Sequence, residues 1–331
     1  VASDIAAKPY VLDASVRTRQ AALLRRTANG LLEPLSSPPG YHRVVYQLNK
    51  NPLISIIIPS RDNTSTLRTC IQTLTSSTEY NNYEIIIVDN GSIEHDTLDY
   101  LKELKADPRI QIVRHDAPFN YSELNNIGAR HSNGELLLFL NDDTEVHQHD
   151  WLDRLGGYAQ QPHVGAVGAK LLYPDGKTQH AGVLNLNDGP VHAFLRQPAS
   201  HHGYYLRNQI EYNWIATTGA CLMISRENFK TVGGFSEDLP VAYNDVDLCM
   251  RLHSRGKYNV VCQAVQIIHH ESVSRGLDSI DKEKAARLVK DKGVLYARNP
   301  KYYQYDPFFN INLHPNGLNF EIATWMHHTK K

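Results

Sequence analysis

The chain has 331 residues, 34 of them basic and 35 acidic, for a formal charge of −1; 41% are hydrophobic and 21% charged. That composition buries a sizeable core and excludes wholesale disorder, and the balanced charge argues against nonspecific nucleic-acid binding. No apolar run approaches the roughly 20 residues of a membrane-spanning helix, so any membrane contact is expected to be peripheral.

In chain order, residues 1–50 read as a helical extension and linker. The start, Val1-Ala2-Ser3-Asp4, has neither a Met nor a basic-then-apolar leader pattern, and the expectation is an excised piece of a longer multi-domain chain. Ser15–Ala28 has helical spacing, with Arg17, Arg19, Arg25 and Arg26 as a cationic face that would meet an acidic membrane surface, a neighbouring domain or solvent. Pro34, Pro38, Pro39 and Gly40 then read as a linker.

From Pro52 the pattern changes. Leu53–Ile58 is a nearly continuous apolar run, the mark of a strand buried on both faces of a parallel sheet. Helix Thr64–Ser76, run Glu84–Val88, helix Glu94–Ala106, run Ile110–Val113, helix Ser122–His131 and run Glu135–Leu140 follow. Strand and helix alternate four times, as in the Rossmann-like half of an α/β domain. Beyond it, Val164–Leu172 is strand-like, 173–213 reads as a long loop or hairpin region and Ala220–Ile224 is apolar. Asp245–Ser254 reads as a helix, Val260–Ile268 as a strand and Ser279–Ala297 as a helix. The expected domain runs over 51–298, divided into 51–144 and 145–298, with 299–331 as an extended tail. Cys70, Cys221, Cys249 and Cys262 lack C-x-x-C spacing and read as buried, reduced thiols of a cytosolic protein.

Ligands of open α/β sheets bind at the carboxyl ends of the strands. Three of the four runs end in polar residues: Pro59-Ser60-Arg61-Asp62, Asp89-Asn90-Gly91-Ser92 and Asn141-Asp142-Asp143-Thr144. No dinucleotide fingerprint and no P-loop is present. A carboxylate-lined site that binds a diphosphate needs a divalent metal to reverse the local charge. Asp142-Asp143 supplies hard oxygen ligands suited to Mg²⁺ or Mn²⁺. Asp89 either accepts hydrogen bonds from a base or ribose or caps the next helix. Asp245 and Asp247 open a helix, where the macrodipole favours negative charge; either could act as a general base, or both could only cap. Of His269-His270, at a strand end, one side chain would face the site and the other away.

These residues, in this order, resemble the family 2 glycosyltransferases, which have the GT-A fold, and most closely the bacterial branch that builds O-antigen and other surface polysaccharides, rhamnosyltransferase-like members included. The resembling stretches are Ile54-Ser-Ile-Ile-Ile-Pro-Ser-Arg-Asp62, Ile87-Val-Asp-Asn-Gly-Ser92, Asn126-Ile-Gly-Ala129 and Gly134-Glu-Leu-Leu-Leu-Phe-Leu-Asn-Asp-Asp-Thr144. They continue with Thr218-Gly-Ala-Cys-Leu222, Gly233-Gly-Phe235, Asn244-Asp-Val-Asp-Leu-Cys249 and His269-His-Glu-Ser-Val-Ser-Arg-Gly276.

The resemblance implies an inverting, metal-dependent transfer from a nucleoside-diphosphate sugar, UDP or dTDP foremost, to a hydroxyl of a glycan acceptor carried on a lipid. It implies a cytoplasmic enzyme, peripheral at the inner face of the cytoplasmic membrane. Pro59, Ser60, Arg61, Asp62, Asp89, Asn90 and Asn126 are implied nucleotide and donor contacts. Asn141-Asp142-Asp143 stands in the place of the D-x-D motif, with Asn at its first position; Asp142 would contact sugar or ribose, and Asp143 with His269 would hold Mn²⁺ or Mg²⁺. Asp245 matches the catalytic base, and Asn244 replaces the Glu that usually precedes it. Trp214, Thr218, Gly219, Ala220, Asn244 and Asp247 are placed near the donor sugar and acceptor. Two other readings remain open: a catalytically silent sugar- or nucleotide-binding module, and a glycoside hydrolase working through paired carboxylates.

Overall fold

The computed structural model describes residues 10–26, 28–270 and 282–323. It divides into two compact units, Val1–Lys50 and Asn51–Lys331.

The first unit has a helix, α1 (Tyr10–Arg25), and two strands, β1 (Gly30–Pro34) and β2 (His42–Tyr46). No residue of α1 is buried, and Leu24 is 78% exposed. The expected linker is instead the end and turn of a hairpin. β1 and β2 pair antiparallel, from Gly30 opposite Tyr46 to Pro34 opposite His42, and the N–H of Leu35 donates to the carbonyl of Tyr41 at 2.9 Å. Prolines and a glycine mark a tight turn as well as a linker; Leu31, Leu32, Val44 and Val45 on either side supply the strand-forming residues that decide between the two.

In the second unit β3 (Ile54–Ser60), α2 (Thr64–Ser77), β4 (Tyr83–Asp89), α3 (His95–Leu104), β5 (Ile110–Arg114), α4 (Tyr121–His131) and β6 (Leu136–Leu140) alternate. β3 pairs parallel with both β4 and β6, and β4 with β5. Their apolar runs are buried on both faces: Ile56, Ile57, Ile58, Ile85, Ile86, Ile87, Leu138 and Phe139 are fully enclosed. Gly128 lets α4 lie against β3, because a Cβ there would sit 2.3 Å from the Ile57 side chain.

The rest of the sheet is mixed. β7 (Thr144–Glu145), α5 (Trp151–Ala159), β8 (Val164–Leu172), β9 (Thr178–His180), the β10–β11 hairpin (Val183–Leu186 and Gly189–His192) and β12 (Tyr212–Trp214) come next. β13 (Cys221–Ser225), α6 (Arg226–Thr231), α7 (Asn244–Ser254), β14 (Tyr258–His269) and α8 (Lys282–Arg298) complete it. The main strand order is β12-β14-β8-β13-β6-β3-β4-β5. β13 runs antiparallel between β6 and β8, so the apolar run that begins at Ala220 joins the two halves into one sheet. All four cysteines are free and buried, and burial pushes the Cys70, Cys221 and Cys249 thiols up to about 12.

The start expected for the last helix, 279–281, lies outside the described residues, as does 271–276 of the histidine motif. Residues 299–323 are not the extended tail expected from their prolines and asparagines. Tyr302, Leu313 and Phe320 are buried, Phe320 stacks on Tyr204 with ring centroids 5.2 Å apart, and Asn299 Nδ2 donates to Asp247 Oδ1 at 2.8 Å. The segment lacks periodicity because it packs through widely spaced aromatics rather than through one repeating face.

Candidate active site

Because β3, β4 and β6 are parallel neighbours, their carboxyl ends open on one edge of the sheet. There Ser60 Oγ donates to Asp142 Oδ2 at 2.7 Å, joining the ends of β3 and β6. Desolvation pushes the Asp142 carboxyl up to about 7; the Ser60 hydrogen bond opposes the rise and the adjacent Asp143 charge adds to it.

Asp143 is reached from the other side of the sheet. β7 pairs antiparallel with the end of β14, setting Thr144 opposite His269, and the His270 N–H donates to the Asp143 carbonyl at 2.9 Å. This register puts His269 Nε2 3.0 Å from Asp143 Oδ1. Both residues are buried, yet Asp143 Oδ1 has no hydrogen-bond partner. His269 Nδ1 lies 2.6 Å from Gln179 Oε1, and Asn141 Nδ2 lies 3.3 Å from Nε2. His270 points elsewhere, its Nε2 2.5 Å from Glu145 Oε1. Among the described residues no three His, Cys, Asp or Glu side chains form a metal cage. The Asp143–His269 pair offers one oxygen and one nitrogen ligand, and an orphaned buried carboxylate oxygen is what a divalent cation would satisfy.

The carboxylate of Asp245, at the start of α7, is held at both oxygens. Oδ2 accepts from the Gly219 N–H and Oδ1 from the Val246 N–H, each at 2.8 Å. Gly219 is itself clamped, since Tyr121 Oη donates to its carbonyl at 2.8 Å. The carbonyl of the next residue, Ala220, accepts from the Asn141 N–H at 3.0 Å. Residues 218–220 thus bridge Asp245 to the strand end that carries Asp142 and Asp143. Thr218 closes the bridge on its other side, its N–H 3.4 Å from His180 Nε2.

Residues 55–233 match the family model described as glycosyl transferase family 2, more than half of the chain. The chain belongs to glycosyl transferase family 2. It is 40% identical over 286 residues to the O-antigen biosynthesis protein RfbC of Myxococcus xanthus, covering 85% of this chain and 22% of that protein. It is 40% identical over 329 residues to the uncharacterized protein y4gI of Sinorhizobium fredii, covering 98% of this chain and 36% of that one. The chain therefore spans well under half the length of these two relatives. Among solved structures, the mannosyltransferase PcManGT of Pyrobaculum calidifontis, in complex with GDP-Man and Mn²⁺, superposes with a TM-score of 0.54 at 15% identity, over 89% of this chain and 81% of that one. GalNAc-T7 with UDP, GalNAc and Mn²⁺ gives 0.58 at 17% identity, over 80% of this chain and 53% of that one. The fold is the GT-A fold, and the domain's class is glycosyltransferase.

Several expected contact residues of this glycosyltransferase are occupied within the protein. Asp62 Oδ1 accepts from the N–H groups of Ile93 and Glu94 at 2.7 and 2.9 Å at the start of α3; these bonds and Arg61 hold its carboxyl below the usual range, against the opposing effect of burial. Asp89 accepts from the Ser92 N–H at 2.9 Å and from Arg114 at 2.8 Å. Asn90 Nδ2 donates to the carbonyls of His115 and Ala117. Pro59 and Arg61 remain at the rim, the Arg61 side chain 51% exposed.

Four further expected residues are engaged inside the protein. Asn126 pins the 235–237 loop, donating to the Phe235 carbonyl and Glu237 and accepting from the Phe235 N–H. Trp214 is fully buried against Phe194 and Phe320. Asn244 is buried, its amide donating to the carbonyls of Leu239 and Val241. Asp247 is fully buried and binds Ser236, Arg251 and Asn299. Asn126, Asn244 and Asp247 are withdrawn from water and find polar partners inside the protein, whereas the Trp214 ring packs among other aromatic rings. Sequence reasoning missed Gln179, His180, Thr217 and Tyr121. The first three flank or lie within a stretch read as loop, and no local pattern marks them.

Proposed function

We propose that this chain transfers a sugar from a nucleoside-diphosphate donor to a hydroxyl of a glycan acceptor, with inversion at the anomeric carbon. The observation that carries this reading is the opposition of Asp143 Oδ1 and His269 Nε2 at 3.0 Å, with the buried carboxylate oxygen left without a hydrogen-bond partner. Asp143 and His269 would hold Mn²⁺ or Mg²⁺, which when bound offsets the charge that grows on the departing diphosphate. Asp142, tied to Ser60, lies beside them to receive ribose or sugar hydroxyls. The nucleotide would lie over Pro59, Ser60 and Arg61, within the frame that Asp62, Asp89 and Asn90 stabilise.

Asp245 takes the proton of the acceptor hydroxyl as that oxygen attacks. The N–H groups of Gly219 and Val246 fix its carboxylate, so it needs little reorganisation at the moment of transfer. Thr218 and Ala220, on the same bridge, would border the reacting sugar.

The O-antigen name of one relative and the lipid-linked acceptor in the name of another, the N-acetylglucosaminyl-diphospho-decaprenol L-rhamnosyltransferase of Mycobacterium tuberculosis (30% identical over 38% of this chain and 43% of that one), support a role in bacterial surface polysaccharide synthesis on a lipid-linked acceptor. No helix among the described residues is long and apolar enough to cross a membrane, and we place the chain at the cytoplasmic face by peripheral contact.

A thermal-shift panel of UDP, dTDP, GDP and CMP, each with and without Mn²⁺ or Mg²⁺, tests the proposal. Saturation at 100 times Kd stabilises by about 2.7 kcal/mol. A shift with one nucleotide that needs the metal is expected. A folded sample that shifts with none of them overturns the reading.

A further inference from the structure

We infer that Gln179 is a positioning residue: it fixes the ring orientation and tautomer of His269 so that Nε2 presents a lone pair toward Asp143. The inference rests on the metal-holding reading above only in its purpose; its geometry stands alone. Gln179 makes two contacts with the same residue. Its Nε2 lies 3.4 Å from the His269 backbone carbonyl, and its Oε1 lies 2.6 Å from His269 Nδ1. A backbone carbonyl only accepts, so the amide nitrogen must face it. That orients Oε1 toward the ring, and Oε1 only accepts, so Nδ1 carries the proton.

In the neutral ring Nε2 is then the unprotonated nitrogen. Its surroundings agree: Asn141 Nδ2, a donor, lies 3.3 Å from it. Asp143 Oδ1, 3.0 Å away and without a hydrogen-bond partner, is a second acceptor facing the first. Two buried acceptors held face to face repel, and a cation between them removes the repulsion. Gln179 is buried and lies on β9 at an irregularity of its antiparallel pairing with β8, between Thr178 opposite Leu172 and His180 opposite Leu171. The adjacent His180 contacts Thr217 and Thr218, so β9 touches both the imidazole and the bridge that holds Asp245.

The test begins with the metal-free full chain at a pH well above the ordinary His range, using long-range ¹H–¹⁵N NMR of the imidazoles, with His269 assigned by loss of its signals in His269→Gln. The expected spectrum shows His269 protonated at Nδ1 and bare at Nε2. Protonation at Nε2 overturns the proposal, whatever the metal does. Gln179→Leu removes the acceptor and should give mixed tautomers; Gln179→Glu keeps it and should retain Nδ1–H. Mn²⁺ affinity, read by EPR of the free ion, should fall about 10–100-fold in Gln179→Leu and recover most of that loss in Gln179→Glu. An unchanged tautomer in Gln179→Leu overturns the positioning role. If Gln179→Leu does not fold, the Glu variant and the wild-type spectrum decide: Nε2 protonation in either one overturns the role. Wild-type protein that shows the expected tautomer but binds no Mn²⁺ refutes the metal reading and leaves the tautomer assignment standing.

Discussion

The Gly219 N–H donates to Asp245 Oδ2 at 2.8 Å, so the proposed base is held by a backbone group from a different segment of the chain. The same segment reaches Asn141 through the Ala220 carbonyl. Asp245 and the strand end that carries Asp143 therefore share a three-residue support, and a disturbance of that support reaches both.

Asp245→Asn tests the base. The amide keeps the shape of the side chain and one acceptor oxygen but cannot take a proton. Turnover should fall about 10²–10⁴-fold while nucleotide binding by thermal shift stays near that of the wild type. Near-normal turnover would remove Asp245 from the role.

Asp143→Ala tests the cation. It deletes the orphaned oxygen and leaves His269 as a lone protein ligand. The metal-dependent part of the nucleotide-induced stabilisation should disappear, as it should when wild-type protein is given the nucleotide with excess EDTA. A shift in the variant that still requires Mn²⁺ would place the cation elsewhere.

Asp247→Ala separates structure from catalysis. Asp247 is fully buried and accepts from Ser236, Arg251 and Asn299, and the Arg251 side chain is only 15% exposed. Removing the carboxylate leaves the largely buried Arg251 guanidinium without its counter-charge, which costs about 3–5 kcal/mol. Chemical denaturation should show a loss of this size; a change within experimental error would mean that the network is dispensable.

Gly168→Ala tests the support of the bridge. A Cβ at Gly168 would sit 1.6 Å from Thr217 Oγ1, and Thr217 is fully buried. Overpacking of this kind costs about 1–3 kcal/mol, and Thr217 must move, carrying Thr218 and Gly219 with it. Both denaturation midpoint and turnover should drop. A variant that loses stability but keeps full turnover would show that the bridge tolerates displacement.

Asp306 sets a pH dependence of stability. Burial pushes its carboxyl up to about 6 from an ordinary 3.8, against the lowering effect of the Asn185 and Phe308 N–H groups and of Arg207. A raised folded pKa means the folded state binds the extra proton. The favourable contribution is complete below about 3.8 and is lost as pH rises through about 6, a difference of about 3 kcal/mol. Unfolding free energies of Asp306→Asn measured from pH 4 to 6.5 should show a correspondingly more positive slope with pH than the wild type. Parallel slopes would show that Asp306 does not titrate in this window.

The first half of the domain was legible because its order is local. Each of Ile54–Ile58, Ile85–Val88 and Leu136–Leu140 is apolar on both sides of the strand, which only a sheet covered on two faces rewards, and the intervening helices carry their own periodicity. The polar residues that end those strands were visible for the same reason. The motif order, from Asp89 through Asp142-Asp143 and Asp245 to His269, carried the family.

What the sequence by itself determined, then, is the parallel half-sheet, the family and the short set of acidic and histidine residues that can do chemistry. Only the tertiary structure decided which of them face one another. The family resemblance already paired Asp143 with His269, but only the β7–β14 register sets them 3.0 Å apart and turns His270 to Glu145. Asp245 and Asp247 are two positions apart on one helix, alike in sequence. A backbone N–H from another segment claims the first, and a buried guanidinium claims the second. Long-range contact assigns those roles, because a side chain's chemistry follows from what desolvates it and what it bonds, and both are fixed only when distant segments pack.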